Sequence, residues 1–156
     1  TWGKFEDKTT KWQFWVFNLH MDHRGVVARR EGAKLVLSRI KEMCGDEPYI
    51  LTGDFNVDQF NPIYPMMMDS GMFVDCHDVA AVRFAPTGSM NYFKTDFKTD
   101  SRIDHVLVSD DFDVLDYKVL TYSYWSEEKP SAEAQTTHKH RLPSDHYPIG
   151  IHLNFK

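Results

Sequence analysis

Residues 49–56 read YILTGDFN and carry the strongest structural signal in the chain. Residues 49–52 are short and mainly apolar, as is typical of a buried strand. Gly53-Asp54-Phe55-Asn56 then places a carboxylate and an amide directly beyond that strand, where functional residues are usually found. Taken alone, Asp54 and Asn56 are also common turn formers, so the rest of the chain must decide between the two interpretations.

An amphipathic helix and two strands precede this segment. The helix is predicted over residues 28–44, because apolar residues recur there at helical spacing and Gly45 follows as a natural stop. The two strands are predicted over residues 1–5 and 11–18. The second has apolar side chains on both faces, so we expect an inner strand that is covered on both sides.

A short helix, strands and loops follow. Asn61-Pro62 is typical of a helix start, and the helix through residues 66–68 should end near Gly71. Further strands are predicted over residues 102–109, 114–124 and 147–155, with long loops over 85–100 and 126–142. Residues 1–156 are therefore expected to form a single α+β domain, a mixed sheet with helices on one face.

Composition limits the possible classes of function. The 156 residues carry a net charge of −5, which argues against a broad basic surface for duplex nucleic acid. No run approaches the roughly 20 apolar residues of a membrane span. Cys44 and Cys76 lack metal-site spacing, and we expect two free core thiols. Because the chain begins at Thr1 without a signal sequence, we expect a processed or truncated product, and its compartment is left open.

Three further segments share the property of Asp54, since each places a polar or ionisable residue at or beyond the end of an apolar strand. They are Phe17-Asn18-Leu19-His20, Arg102-Ile103-Asp104-His105-Val106 and Ser144-Asp145-His146-Tyr147-Pro148. Asp104 shares a strand face with apolar residues, and a carboxylate is costly there unless it is paired. Each segment alone also has a structural explanation, such as a turn or a satisfied core histidine.

The four motifs, in this order, resemble the signature set of the endonuclease/exonuclease/phosphatase superfamily, which includes DNase I and exonuclease III. The resemblance extends from about Trp12 to Phe155. It implies a DNase I-like α/β sandwich of four layers, of which this chain would be about half, the C-terminal portion. It also implies a phosphate-ester hydrolase with Mg²⁺ as cofactor, for which Mn²⁺ can substitute.

The resemblance implies a role for each motif. His146 would be the general base or the partner of the phosphate, and Asp104 would orient it. Asp54 would position the attacking water, Asn56 would hold the nucleophile or a phosphate oxygen, and His20 would donate to the phosphoryl oxygens. The remaining candidates are a metal ligand, Asp145, and two substrate contacts, Asn18 and Asn91. Clustered histidines also invite a zinc interpretation, but no zinc-hydrolase motif is present.

The chain departs from the family pattern in what it lacks. In complete members the N-terminal half supplies one sheet, and it also supplies an Asn and a Glu near the metal that no segment here replaces. We therefore expect weak metal binding. For want of a second sheet, residues 11–18 and 147–155 should expose large apolar faces, which a second copy of the chain, as a homodimer, or the missing N-terminal half would cover. The expected substrate is a small phosphate ester, a nucleotide or a nucleic acid. The alternative is a non-catalytic fragment that binds a phosphorylated ligand or a partner protein.

Overall fold

The helices and strands follow the predicted order for most of the chain. The computed structural model describes residues 1–129, 131 and 133–156. These residues form ten strands and three helices: β1 (Trp2–Glu6), β2 (Gln13–His20), α1 (Val26–Cys44), β3 (Tyr49–Asp54), α2 (Ile63–Met68), β4 (Val74–Asp75), α3 (Cys76–Val79), β5 (Val82–Phe84), β6 (Asp104–Val108), β7 (Phe112–Val119), β8 (Tyr124–Glu128), β9 (Thr137–Arg141) and β10 (Ile149–Phe155).

The first sheet has five strands in the order β1-β2-β3-β6-β4. β2 is an inner strand, as its two apolar faces predict, because it pairs antiparallel with β1 and parallel with β3. A parallel pair needs a crossover connection, and α1 supplies it. β3 pairs antiparallel with β6, which carries the short β4 on its other edge.

The helices α1 and α2 pack on one face of this sheet, as the sequence predicts. Their buried side chains meet those of β2, β3 and β6 in one apolar cluster, which includes Phe17, Ala33, Ile40, Leu51, Met67 and Leu107. This helix-side core packs the first sheet against α1 and α2. Alternate residues of β2, β3 and β6 point into this core, so the residues between them face the opposite side of the sheet.

A second sheet, which the sequence did not predict, covers the opposite face of the first. It has three strands in the order β10-β7-β5. Val106 and Val108 of β6 form an inter-sheet core with Val114, Tyr117 and Val119 of β7. The expectation that residues 11–18 and 147–155 expose their apolar faces for want of a second sheet is therefore wrong, since Phe14, Ile149 and Ile151 pack against this core.

Residues 126–142 do not form the predicted long loop. β8 and β9 pair antiparallel as a two-stranded ribbon, in which Trp125 stacks on His140 with ring centroids 4.8 Å apart. Apart from Tyr124 and Trp125, both strands consist of polar residues, so the alternation that marks a half-buried strand is missing. The predicted strand over residues 114–124 is likewise divided between β7 and β8. Pro130 and Ala132, within the predicted loop, lie outside the described residues.

The two cysteine side chains lie in the core, as predicted. Cys44 and Cys76 are both free and buried. Burial raises the pKa of the Cys76 thiol to about 12, so its reactive thiolate is suppressed at neutral pH. Among the described residues, no helix combines the length and apolar character needed to cross a bilayer.

We expect Leu107→Ala to lower the free energy of unfolding by roughly 2–5 kcal/mol, because the removed side chain leaves a cavity. Leu107 is fully buried in the helix-side core, whereas Leu35 on α1 is 58% exposed. The control Leu35→Ala should therefore change the stability by less than about 0.5 kcal/mol. Urea denaturation followed by tryptophan fluorescence measures both. Equal stability of the two variants would contradict the packing of β6 against the helices.

Candidate active site

Three neighbouring strands of the first sheet align three candidate side chains in one row. His20 of β2 is paired with Asp54 of β3, and Asp54 is paired in turn with Asp104 of β6. Strand alternation places the row on the face toward the second sheet, since Leu51 and Leu107 point into the helix-side core. His20 Nε2 lies 3.3 Å from Asp54 Oδ2. The row therefore brings together residues from three of the four sequence motifs.

His146 joins this row from the segment that precedes β10. It is anchored there by an isolated antiparallel bridge to Met90. His146 Nδ1 lies 2.7 Å from Asp104 Oδ2. An ionised carboxylate only accepts hydrogen bonds, so Nδ1 donates and Nε2 is the nitrogen left to act on a substrate. A cavity of about 280 Å³, lined by Asp104, His146, Thr52 and Ser144 among others, opens beside the pair.

The carboxylates around His146 determine its protonation. Burial of the ring is the largest single influence and opposes the charged form. The hydrogen bond to Asp104 and the negative charges of Asp104, Asp54 and Asp145 together outweigh it and raise the pKa of His146. The imidazolium therefore persists to a higher pH than in an exposed histidine.

The backbone of the Gly53–Asn56 loop is shaped to hold Asp54. Asn56 has a φ of 48°, in the left-handed region that Asn tolerates better than most residues. Its backbone N–H donates to Asp54 Oδ1 at 2.8 Å, and its Nδ2 donates to Asp54 Oδ2 at 3.2 Å and to Met21 O at 2.9 Å. Gly53 is required for a different reason, since a Cβ there would lie 1.9 Å from Leu19 O.

The donor set at the row fits a hard divalent cation. Potential ligand atoms of Asp54, Asp104 and His146 all lie within 4.8 Å of one another. Two carboxylates suit Mg²⁺, which takes few protein ligands and keeps several waters, and they suit Mn²⁺ equally, whereas the imidazole is a ligand type more often found on Zn²⁺ or Fe²⁺. Asp145, the predicted metal ligand, does not belong to this cluster within the described part of the chain. Its carbonyl oxygen instead accepts from the backbone N–H groups of Asn91 and Tyr92.

The two predicted substrate contacts differ in accessibility. Asn18 is exposed on β2, two residues before His20 and thus on the same face of the strand. Asn91 is fully buried, and its Oδ1 accepts from Phe93 N at 2.8 Å. Asn91 Nδ2 has no hydrogen-bond partner among the described residues. The structure therefore places Asn18 beside the row and encloses Asn91 within its loop.

Sequence reasoning missed a buried polar network on the reverse face of β6. His105, next to Asp104, donates from Nε2 to Val57 O at 2.8 Å, because a carbonyl can only accept. Its Nδ1 lies 3.7 Å from Asp75 Oδ2, and that oxygen accepts a hydrogen bond from Tyr64 Oη at 2.7 Å. The network ties the loop after Asn56 to β6. The sequence feature that could have indicated this network is His105, a histidine within an apolar strand and on the face opposite Asp104.

Asp75 is the charged centre of this network and is 2% exposed. Arg102 Nη2 lies 3.6 Å from Asp75 Oδ2. Burial alone would raise the pKa of Asp75. The contact with His105, the hydrogen bond from Tyr64 and the charge of Arg102 together outweigh burial and hold that pKa below its ordinary value. Asp75 is therefore a paired, ionised carboxylate in the core.

Comparison with known proteins shows the family of this chain. The sequence model of the endonuclease/exonuclease/phosphatase family matches residues 3–146. The chain belongs to this family. It is 42% identical to a family member from Bacteroides thetaiotaomicron, over 99% of this chain and 55% of that one, with a TM-score of 0.91. A mannosyl-6-phosphatase from Bacteroides thetaiotaomicron is also 42% identical, over 99% of this chain and 56% of the other, with a TM-score of 0.90.

The family fold extends to distant structures. The human nocturnin catalytic domain is 16% identical, over 99% of this chain and 52% of the other, with a TM-score of 0.68, and shares the fold alone. The fold is thus the DNase I-like α/β sandwich, as predicted. The chain spans just over half the length of these family structures. A search of curated proteins found no match.

We expect Asp104→Asn to lower the pKa of His146, because the variant removes a negative charge and a charge-assisted hydrogen bond. NMR titration of the imidazole signals, in the presence of a chelator, measures the pKa. Asp116→Asn is a matched control, since Asp116 contacts a different histidine, His152, at 2.6 Å. It should leave His146 unchanged. A His146 pKa that stays the same or rises in Asp104→Asn would refute the pairing.

We expect Asp75→Ala to lower the free energy of unfolding by roughly 3–5 kcal/mol, because it leaves Arg102 and His105 buried without their carboxylate. Asp113→Ala is the control, since Asp113 is exposed on β7. Thermal and urea denaturation at neutral pH measure the two variants. If Asp75→Ala were no less stable than Asp113→Ala, the network would have no stabilising role.

Proposed function

We propose that this chain is the C-terminal part of a metal-dependent hydrolase of phosphate esters, in which a His-Asp pair assists the attack of water on phosphorus. The observation that carries the proposal is the 2.7 Å contact between His146 Nδ1 and Asp104 Oδ2, beside Asp54 in the same row. Carboxylates brought together with a histidine in a cavity are costly for stability alone and are typical of catalytic sites.

Each side chain of the row takes a defined part in the proposed reaction. Nε2 of His146 exchanges a proton with the reacting oxygens, and Asp104 fixes the ring and stabilises its positive form. Asp54 accepts a hydrogen bond from the attacking water and so orients it. Asn56 holds Asp54 in position. His20, exposed at the end of the row, donates to the phosphoryl oxygens as their charge develops.

Asp54 and Asp104 are the residues that would hold Mg²⁺, or Mn²⁺ in its place, with Asp145 as a further candidate. Hard oxygen donors favour these cations. A bound cation would neutralise part of the phosphoryl charge and act as a Lewis acid. Family resemblance implies that an Asn and a Glu from outside this chain complete the site.

The proposed substrate is a small phosphomonoester, and a sugar phosphate is the leading candidate. The similarity to a mannosyl-6-phosphatase, at 42% identity over 99% of the chain, supports this class. The net charge of −5 disfavours duplex nucleic acid, whose binding depends on many phosphate contacts. Nuclease or phosphodiesterase action is therefore the weaker candidate.

Binding without turnover is the alternative function. It is supported by exposed apolar surface on the second sheet. Val82 and Phe84 on β5, and Leu115 on β7, are exposed apolar side chains of the second sheet. Apolar surface of this kind is typical of an interface. We propose that the remainder of the family domain, or a second copy of the chain, covers it.

We expect His146→Ala to reduce metal-dependent hydrolysis of p-nitrophenyl phosphate by roughly 10²- to 10⁴-fold, as loss of a proton-transfer group does. The assay compares Mg²⁺, Mn²⁺ and chelator, with bis-p-nitrophenyl phosphate as the diester. His152→Ala is the control, because His152 forms the same type of pair with Asp116 but is itself exposed and lies outside the row. Equal activity of His146→Ala and wild type would contradict the mechanism. Absence of turnover by the folded wild type would favour the binding function.

A further inference from the structure

A second recess, of about 370 Å³, lies directly beside the catalytic row. Three of its lining residues connect it to that row. Asn56 holds Asp54, Ile103 immediately precedes Asp104, and Met90 is bridged to His146. The recess is therefore a concave surface next to the position that a phosphate held at the row would occupy.

Two aromatic rings form a wall of this recess. Tyr92 and Phe97 both line it, and their rings meet edge to face with centroids 5.1 Å apart. Phe97 buttresses Tyr92, whose side chain is 53% exposed. Exposed rings that are braced in this way offer a large, rigid contact surface at little entropic cost.

The backbone that presents Tyr92 is strained. Tyr92 and Phe93 have φ values of 56° and 58°, a conformation in which bulky residues are rare. Hydrogen bonds from Asn91 N and Tyr92 N to Asp145 O, at 2.7 and 3.2 Å, hold the loop against the segment that carries His146. Strain of this kind costs about 1–3 kcal/mol per residue and is concentrated at ligand sites. The exposed ring of Tyr92 gains no core burial in return, so stability does not explain the conformation.

The remaining lining residues determine the chemistry of the ligand. Thr99 and Ser101 contribute hydroxyl groups and His23 contributes an imidazole. Within the described residues, the lining contains no carboxylate and no Lys or Arg side chain. A charged group of the ligand, such as a second phosphate, would therefore have no Lys or Arg side chain in this lining to pair with. A neutral ligand with several hydroxyls and one apolar face suits aromatic and hydroxyl side chains together.

We propose that this recess binds the leaving alcohol of the substrate as a sugar ring, whose C–H face packs on Tyr92 and whose hydroxyls bond to Thr99, Ser101 and His23. The proposal rests on the proposed phosphoesterase function, and it assigns the source of substrate specificity. A nucleoside is the competing ligand, since a base also stacks on an aromatic ring. The edge-to-face arrangement of Tyr92 and Phe97 offers one open ring face rather than a parallel slot, which favours the sugar.

We expect Tyr92→Ala to raise KM for mannose 6-phosphate and glucose 6-phosphate by roughly 2- to 12-fold, the range for loss of one aromatic contact. KM and kcat for ethyl phosphate, whose leaving group has no ring, should stay within about twofold of wild type. Tyr92→Phe should restore the wild-type KM, because the ring and not the hydroxyl makes the contact. Phe93→Ala is the matched control, since Phe93 is equally exposed and strained but does not line the recess.

Binding measurements separate this inference from the proposed function. Titration calorimetry with the phosphonate analogues of glucose 6-phosphate and ethyl phosphate, with Mg²⁺ present, needs no turnover. Tighter binding of the sugar phosphonate by wild type, lost in Tyr92→Ala, would support the subsite even if no ester were hydrolysed. If all esters were hydrolysed and Tyr92→Ala had no effect, the sugar subsite would be overturned, whereas the proposed phosphoesterase function would stand. An effect confined to nucleoside 5′-monophosphates would also overturn it.

Discussion

The repulsion between two neighbouring carboxylates is the constraint on which the site depends. The register of β3 on β6 places Asp54 opposite Asp104, and their side chains are only 16% and 22% exposed. Like charges that face each other across strands destabilise a sheet. His146 compensates one carboxylate, while Asn56 and His20 contact the other. The groups that stabilise the pair are therefore the same groups that give the site its chemistry.

These compensating groups are effective because their loops are anchored. His105 holds the loop after Asn56 through its bond to Val57 O. Ser89, which is fully buried, accepts through Oγ from the backbone N–H groups of Ile103 and Asp104 at 3.1 Å each, and its carbonyl accepts from Tyr147 N. One buried serine thus joins the start of β6 to the segment that carries His146. The site is held by contacts on both faces of the first sheet.

Local patterns in the sequence predicted most elements and named the four side chains that the structure brings together, His20, Asp54, Asp104 and His146. The spacing of apolar residues located α1 and the two-sided character of β2, and motif order identified the family. Pairing that is distant in sequence was not predictable. Buried and exposed residues alternate along β7, yet nothing in its own residues indicates that it pairs with β10 and β5 to form a second sheet. The β8–β9 ribbon was missed because its stability comes from cross-strand pairs, such as Trp125 with His140, rather than from a buried face.

Contacts between residues distant in sequence also limited what could be predicted of the candidate site. Asp104 was recognisable as a costly carboxylate that needed a partner, but its distance to His146 depends on strand register. The network around Asp75 was not predicted, because Asp75, His105 and Tyr64 come from separate elements and only His105, within an apolar strand, is conspicuous in the sequence. Asn91 was expected at the substrate, and its burial follows from the backbone hydrogen bonds of its loop.

The alternation along β6 has a consequence for how such a chain can change over evolution. Asp104 faces the site, His105 faces the helices, and Val106 faces the second sheet. A substitution at one position of β6 changes one side chain and leaves all the others on their own faces. A deletion of one residue within β6, by contrast, would turn every following side chain to the opposite face, so that residues of the two cores would exchange sides. Sequence divergence at this strand should therefore proceed by substitution, while insertions and deletions accumulate in the loops that enter and leave it.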